Sequence, residues 1–89
     1  MEIYYKDLKP YYNVIDIRTK EEYEKGHYIT AINIPSKYLI CFTSKYLNKK
    51  DTYYLYCASG IRSKRACELI SIMGYNVINV KDGYKDKLL

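Results

Sequence analysis

Four short runs of β-forming residues recur along this chain, each separated from the next by a segment with helix or turn signals. They are Tyr12 to Ile17 (YNVIDI), Ala31 to Ile34 (AINI), Thr52 to Cys57 (TYYLYC) and Tyr75 to Val80 (YNVINV). Short apolar runs of this kind suit buried strands, and their alternation with helices predicts an α/β domain built on a mostly parallel sheet. A ligand site on such a sheet lies beyond the carboxyl ends of its strands. The run that ends at Cys57 brings a reactive side chain to that edge.

Thr19 opens TKEE, a capping box in which the Thr hydroxyl and the Glu22 carboxylate satisfy the first free amides of a helix, and Gly26 ends that helix early. Pro35 stops the second run, and Ser36 is placed to cap the next segment, in which Leu39, Ile40 and Leu47 give a helical stripe. The polar NKKD before Thr52 reads as a turn. Ala66, Leu69, Ile70 and Met73 recur at i, i+3, i+4 and i+7, which predicts an amphipathic helix over 63–73 terminated by Gly74.

The 89 residues suffice for one core and are too few for two, so residues 1–89 are expected to form a single domain. No internal repeat or Gly/Ser linker divides them. No stretch approaches the roughly 18 apolar residues of a membrane span, and the N-terminal MEIYYKDLKP lacks the features of a secretory signal. A cytoplasmic protein without membrane contact is therefore expected. The net charge is +5, but the lysines are spread along the chain instead of massed in one run. That argues against nucleic acid and suits a solvated basic surface or an attraction for small anions or an acidic partner. Thirteen tyrosines and no tryptophan look like compositional drift. Cysteines at 41, 57 and 67 match neither a paired disulfide framework nor a zinc spacing, so free thiols and no metal site are expected.

The stretch CASGIRS, Cys57 to Ser63, sets a cysteine, a small-residue turn and an arginine directly before a helix. A structural cysteine needs no such surroundings. Folded tightly, the loop would converge its backbone N–H groups at the positive end of the helix, a cradle that favours anions. Such surroundings lower a thiol pKa from about 8.5 into a range of roughly 3.5 to 7.5, which would make Cys57 a nucleophilic thiolate. Ala58, Ser59 and Gly60 leave room for the turn and for a substrate over the sulfur, while Arg62 offers a planar, permanently charged fork to an anion. Lys64 and Arg65 are either solvated or add positive potential beside the cradle. Cys41 and Cys67 have no such context and are expected to pack as small apolar residues.

These residues resemble the rhodanese-like sulfurtransferases. CASGIRS looks like that family's Cys-x-x-Gly-x-Arg-Ser loop. VIDIRTKEEYEKGHYITAINIP, Val14 to Pro35, looks like its Asp-x-Arg segment, Glu-Tyr helix, Gly-His pair and Ala-x-Asn-x-Pro strand end. GYNVINVKDG, Gly74 to Gly83, is similar to its helix-to-strand ending. The chain departs from the pattern at Tyr28-Ile29-Thr30, where many relatives have Ile-Pro-Gly, at Asp82-Gly83 in place of Gly-Gly, and in lacking a terminal tryptophan. These departures are expected to touch loop geometry and C-terminal packing and not the nucleophile, and the last helix, near Lys87, is expected to be short.

The resemblance implies a central mostly parallel sheet flanked by helices on both sides, and two-step covalent sulfur transfer. Cys57 would attack the sulfane sulfur of thiosulfate or a persulfide donor. The resulting Cys57 persulfide would pass its sulfur to cyanide or to a thiol acceptor such as thioredoxin, glutathione or a sulfur-relay protein. Ala58, Ser59, Gly60, Ile61 and Ser63 would form the cradle, with Arg62 helping to hold the donor, and no metal or organic cofactor would be needed. Asp16 and Arg18 are expected to form a polar pair that pins the loop, and His27 a structural hydrogen bond. A non-enzymatic sulfur carrier or interaction module is the alternative reading. An RNA-contacting thiolation module rests on the basic charge alone. Phosphatases and arsenate reductases of the same fold place five residues between Cys and Arg, usually with His before the Cys. Here Ala58 to Ile61 are four, and Tyr56 precedes the cysteine.

Overall fold

The computed structural model describes residues 1–84, so the last helix expected near Lys87 lies outside the described residues. Five strands, β1 (Glu2–Ile3), β2 (Asn13–Asp16), β3 (Ile32–Asn33), β4 (Thr52–Tyr56) and β5 (Asn76–Val80), form one sheet in the order β1-β5-β4-β2-β3. Every pairing is parallel. From β2 the chain moves toward one edge and from β4 toward the other. The crevice at a topological switch point therefore opens beyond the carboxyl ends of this central pair. Cys57 follows β4 directly, and Ile17 and Arg18 follow β2.

The four β-rich runs all become strands. β1 has no counterpart among them, because two residues carry no periodic signal. It is held by its register with β5, which sets Glu2 opposite Asn79 and Ile3 opposite Val80.

Helix α1 (Lys20–Lys25) starts with both halves of the expected capping box formed. The next helical segment is divided into α2 (Ser36–Cys41) and α3 (Thr43–Tyr46) by non-helical backbone at Phe42. Thr43 Oγ1 donates to the Leu39 and Ile40 carbonyls across this break. Ser36 does not cap the segment. It is the first helical residue, Pro35 takes the cap position without a side-chain bond, and the Ser36 amide is spent on the Ile17 carbonyl. Helix α4 (Ile61–Ile72) begins two positions before the expected Ser63, because Gly60 adopts the left-handed conformation that turns the loop into it. Its buried face is Ser63, Ala66, Cys67 and Ile70, while Leu69 and Met73 of the expected stripe are exposed.

Strand side chains alternate between two cores, as the period of a strand requires. Ile15, Leu55 and Val77 face Leu39, Leu47, Ala66, Cys67 and Ile70 on the side covered by α2, α3 and α4. Val14, Tyr56 and Val80 face the other way, toward Leu8, Ala31 and Tyr84 and the half-buried Tyr5, Tyr12, Tyr23, Tyr28 and Tyr54. The tyrosines therefore have a structural task that composition alone concealed. Tyr5 meets Tyr28 edge-on at 5.5 Å, and Tyr12 stacks on Tyr54 at 4.2 Å.

Candidate active site

The Cys57 sulfur sits inside a tight loop between β4 and α4. The amides of Gly60 and Ser63 donate to Sγ at 3.2 and 3.4 Å, and Ser63 Oγ lies 3.4 Å away. Burial pushes the thiol pKa up, but hydrogen bonds at the sulfur, those of the Ser63, Ser59 and Gly60 amides among them, outweigh it, so the net direction is below the ordinary thiol value. Gly60, with φ 91°, is needed here, since a Cβ at that position would drive into the Lys81 carbonyl oxygen. The open surface cradle expected from sequence takes a different form. Cys57 is 0% exposed, Ala58 is half-buried, and only Ser59 and Ile61 of the loop face solvent beside Arg62.

The Asp82-Gly83 segment, expected to leave the nucleophile untouched, packs against its backbone. Gly83 has φ 64°, and a Cβ there would strike the Ala58 carbonyl and stand 2.7 Å from the Cys57 carbonyl oxygen. The next amide, Tyr84 N–H, donates to that Cys57 oxygen at 2.9 Å. The glycine was visible in the sequence, but its partner, more than twenty residues upstream, was not.

Asp16 and Arg18 form a buried forked pair. Arg18 Nη2 lies 2.7 Å from Asp16 Oδ2, and Arg18 Nε bonds both carboxylate oxygens. Arg18 Nη2 also donates to the Gly26 carbonyl at 2.6 Å, and its guanidinium lies over the Tyr84 ring at 4.6 Å. The Tyr56 hydroxyl donates to Asp16 Oδ2 at 2.8 Å. The pair thus ties the ends of β2 and β4 to the exit of α1 and to Tyr84, which in turn grips the Cys57 carbonyl. Tyr56, the residue before the cysteine, points to the tyrosine core away from the sulfur. His27 stacks on Tyr23 at 3.6 Å and donates from Nδ1 to the Tyr23 carbonyl at 2.7 Å, a structural arrangement at the end of α1.

Arg62 is exposed and already has a partner. Its Nη2 lies 3.3 Å from Glu22 Oε2, the carboxylate that completes the α1 capping box. Burial raises the Glu22 pKa, but the Thr19 amide and Arg62 lower it further, so the carboxyl is held below its usual range. Glu22 is the site residue that sequence reasoning assigned only to a helix cap. Lys64 and Arg65 are solvent-exposed.

All three cysteines are free. Cys67 is buried as expected, and burial pushes its thiol up to about 12. Cys41 corrects the packing expectation. It closes α2 just before the break at Phe42 and is exposed, while Leu39 is the residue that α2 buries. Among the described residues no cluster of His, Cys, Asp and Glu could hold a metal ion, and no helix is long and apolar enough to cross a membrane.

Comparison with known proteins adds to this geometry. The sequence profile of the rhodanese-like domain family matches residues 3–87. The chain is 38% identical over 73 residues to thiosulfate sulfurtransferase PspE of Escherichia coli K12, an overlap that covers 81% of this chain and 70% of that protein. It is 37% identical over 75 residues to the putative sulfur carrier protein YrkF of Bacillus subtilis, covering 83% of this chain and 40% of the longer relative. A crystal structure of a rhodanese-like domain protein from Staphylococcus aureus superposes with a TM-score of 0.76 at 33% identity, covering 88% of this chain and 74% of that one.

Proposed function

Because the chain belongs to the rhodanese-like domain family, we propose that it is a sulfurtransferase that carries sulfane sulfur on Cys57. The observation that carries this reading is the convergence of the Gly60 and Ser63 amides on the Cys57 sulfur. Amides fixed in that direction stabilise a thiolate without reorganising, the condition for a nucleophile that must be regenerated each cycle.

The Cys57 thiolate attacks the outer sulfur of thiosulfate. The sulfur–sulfur bond of the donor breaks, its electron pair leaves with sulfite, and a persulfide remains on Cys57. An acceptor nucleophile, cyanide or a thiolate, then takes the outer sulfur and returns Cys57 as the thiolate. Both half-reactions are displacements at sulfur, so they need neither metal nor organic cofactor. Arg62 is the cation at the loop that attracts the donor anion, and Asp16, Arg18 and His27 support the loop from behind.

A persulfide-fed carrier is the second reading. It is favoured by the Arg62–Glu22 pair, which leaves the rim less attractive to a small dianion. Faster loading from a persulfide than from thiosulfate would select it.

The test of the common core is Cys57→Ser. Thiocyanate formation from thiosulfate and cyanide should vanish while circular dichroism and the thermal midpoint stay close to those of the parent. Full turnover in that variant would overturn the reading.

A further inference from the structure

A hydroxyl has one proton to give, and Ser63 has two neighbours competing for it. Its Oγ lies 3.4 Å from Cys57 Sγ, and on its other side it meets Asn79 Oδ1 in a short contact. Asn79 is a polar residue inside the sheet, 2% exposed, on the same face as Val77. Its amide orientation is fixed by its other contacts. Nδ2 points at Glu2 Oε2, 3.1 Å away, and at the Gly60 carbonyl oxygen, 3.3 Å away. A carboxylate and a carbonyl only accept, so turning the amide over would set oxygen against oxygen twice. Oδ1 must therefore face Ser63, and an amide oxygen is bonded there only if Ser63 donates.

We propose that Asn79 is a positioning residue for the nucleophile: it holds the Ser63 hydroxyl proton, so that Ser63 offers Cys57 a lone pair instead of a proton. A neutral thiol can donate into that lone pair, whereas a thiolate gains nothing from it. For the thiolate to receive the hydroxyl proton, Ser63 must release Asn79 and leave a buried Oδ1 unpaired. Stabilisation of the anion then rests on the loop amides, and Asn79 sets how much of Cys57 is ionised at a given pH. The register that places Glu2 opposite Asn79 explains why the amide cannot flip.

Charged and titratable groups surround this chain of contacts. The Met1 ammonium, Glu2, Lys64, Cys67 and Glu68 line the same cavity as Asn79, and the Arg62–Glu22 pair stands at the rim of the loop. Of these only Glu2 loses a bond when Asn79 is replaced, and that loss is common to Asn79→Ala and to the variant that also carries Ser63→Ala, so a shift seen only in the single variant reports the hydroxyl.

The inference rests on Cys57 being the nucleophile, but it is read without sulfur transfer. The measurement is the ultraviolet absorbance of the thiolate against pH, taken as the difference from Cys57→Ser. In Asn79→Ala the freed hydroxyl turns to the sulfur, and the titration moves to lower pH, with about three- to tenfold more thiolate on its acid limb. In Ser63→Ala the titration does not move to higher pH, and adding Asn79→Ala to Ser63→Ala gives no acid shift. Loosening of the Gly60 loop would weaken the amide bonds and shift the titration the opposite way, so the sign separates the two effects. An unmoved or alkaline titration in Asn79→Ala, or an alkaline shift in Ser63→Ala, overturns the proposal. Should Asn79→Ala fail to fold, Ser63→Ala decides alone. If these shifts appear while no donor loads sulfur, the positioning role of Asn79 stands and the sulfurtransferase reading falls.

Discussion

Arg62 and Glu22, separated by 40 positions in sequence, meet at 3.3 Å at the rim of the Cys57 loop. Both side chains are partly solvated, at 47% and 36% exposure, so the pair adds little stability, about 0–1 kcal/mol. Its consequence is electrostatic. Glu22→Gln keeps a residue able to complete the capping box while removing the charge that shields Arg62. The KM for thiosulfate should fall about two- to fivefold at low ionic strength, and the gain should fade as salt is added. Arg62→Ala should move KM the other way. Steady-state kinetics at two salt concentrations checks both, and an unchanged KM in Glu22→Gln at low salt would contradict the shielding.

Gly83→Ala tests the contact between the turn after β5 and the nucleophile's backbone. The added methyl would collide with the Ala58 carbonyl at a backbone conformation that alanine resists. A loss of about 2 kcal/mol or more is expected, together with a fall in kcat as the Cys57 carbonyl shifts. Urea denaturation and single-turnover sulfur loading would show both, and a variant that matches the parent in each would mean that the segment only covers the loop.

Much of this was legible because it is local. The four β-rich runs, the Thr19 capping box and the CASGIRS turn each carry their signal within a few residues. What was not legible depends on partners distant in sequence. Ser63 is polar, so the apolar pattern starts the α4 stripe at Ala66, whereas the buried face starts one turn earlier, at Ser63. Its burial makes sense only beside Asn79 and Cys57. β1 is two residues long and exists through its register with β5. Glu22 looks like half of a helix cap because Arg62 lies forty positions away. The tyrosines look like drift because a second core built from half-buried rings has no simple period.

Arg18→Ala would leave the Asp16 carboxylate buried with its main cation gone. Breaking a buried pair in this way costs about 3–5 kcal/mol, which in a domain of this size lowers the thermal midpoint by about 15 °C or more. Arg18→Lys restores charge but not the fork that reaches Asp16 and Gly26 together, so it should fall between the two. Differential scanning calorimetry would check the order. A loss of only a few degrees in Arg18→Ala would show that the pair is dispensable.

The depressed Cys57 pKa has a sign for stability. The folded state releases its thiol proton at a lower pH than the unfolded chain, whose thiol titrates near 8.5. The stability contributed by the thiolate is fully present above that unfolded value and is lost as pH falls through the folded one. Relative to Cys57→Ser, the parent should therefore gain stability as pH rises from about 6 to about 9. Cys67, held as a thiol by burial, is common to both proteins and cancels in the difference. Paired urea titrations across that range check the slope, and a flat or falling difference would mean that the loop does not favour the anion.

The central claim is that sulfur rides on Cys57, and intact mass spectrometry tests it most directly. After thiosulfate the protein should gain the mass of one sulfur atom, located on Cys57 by peptide mapping, and cyanide should strip it with release of thiocyanate. The absence of any gain from thiosulfate or a persulfide donor, or a gain that maps to Cys41 or Cys67 instead, would contradict the account.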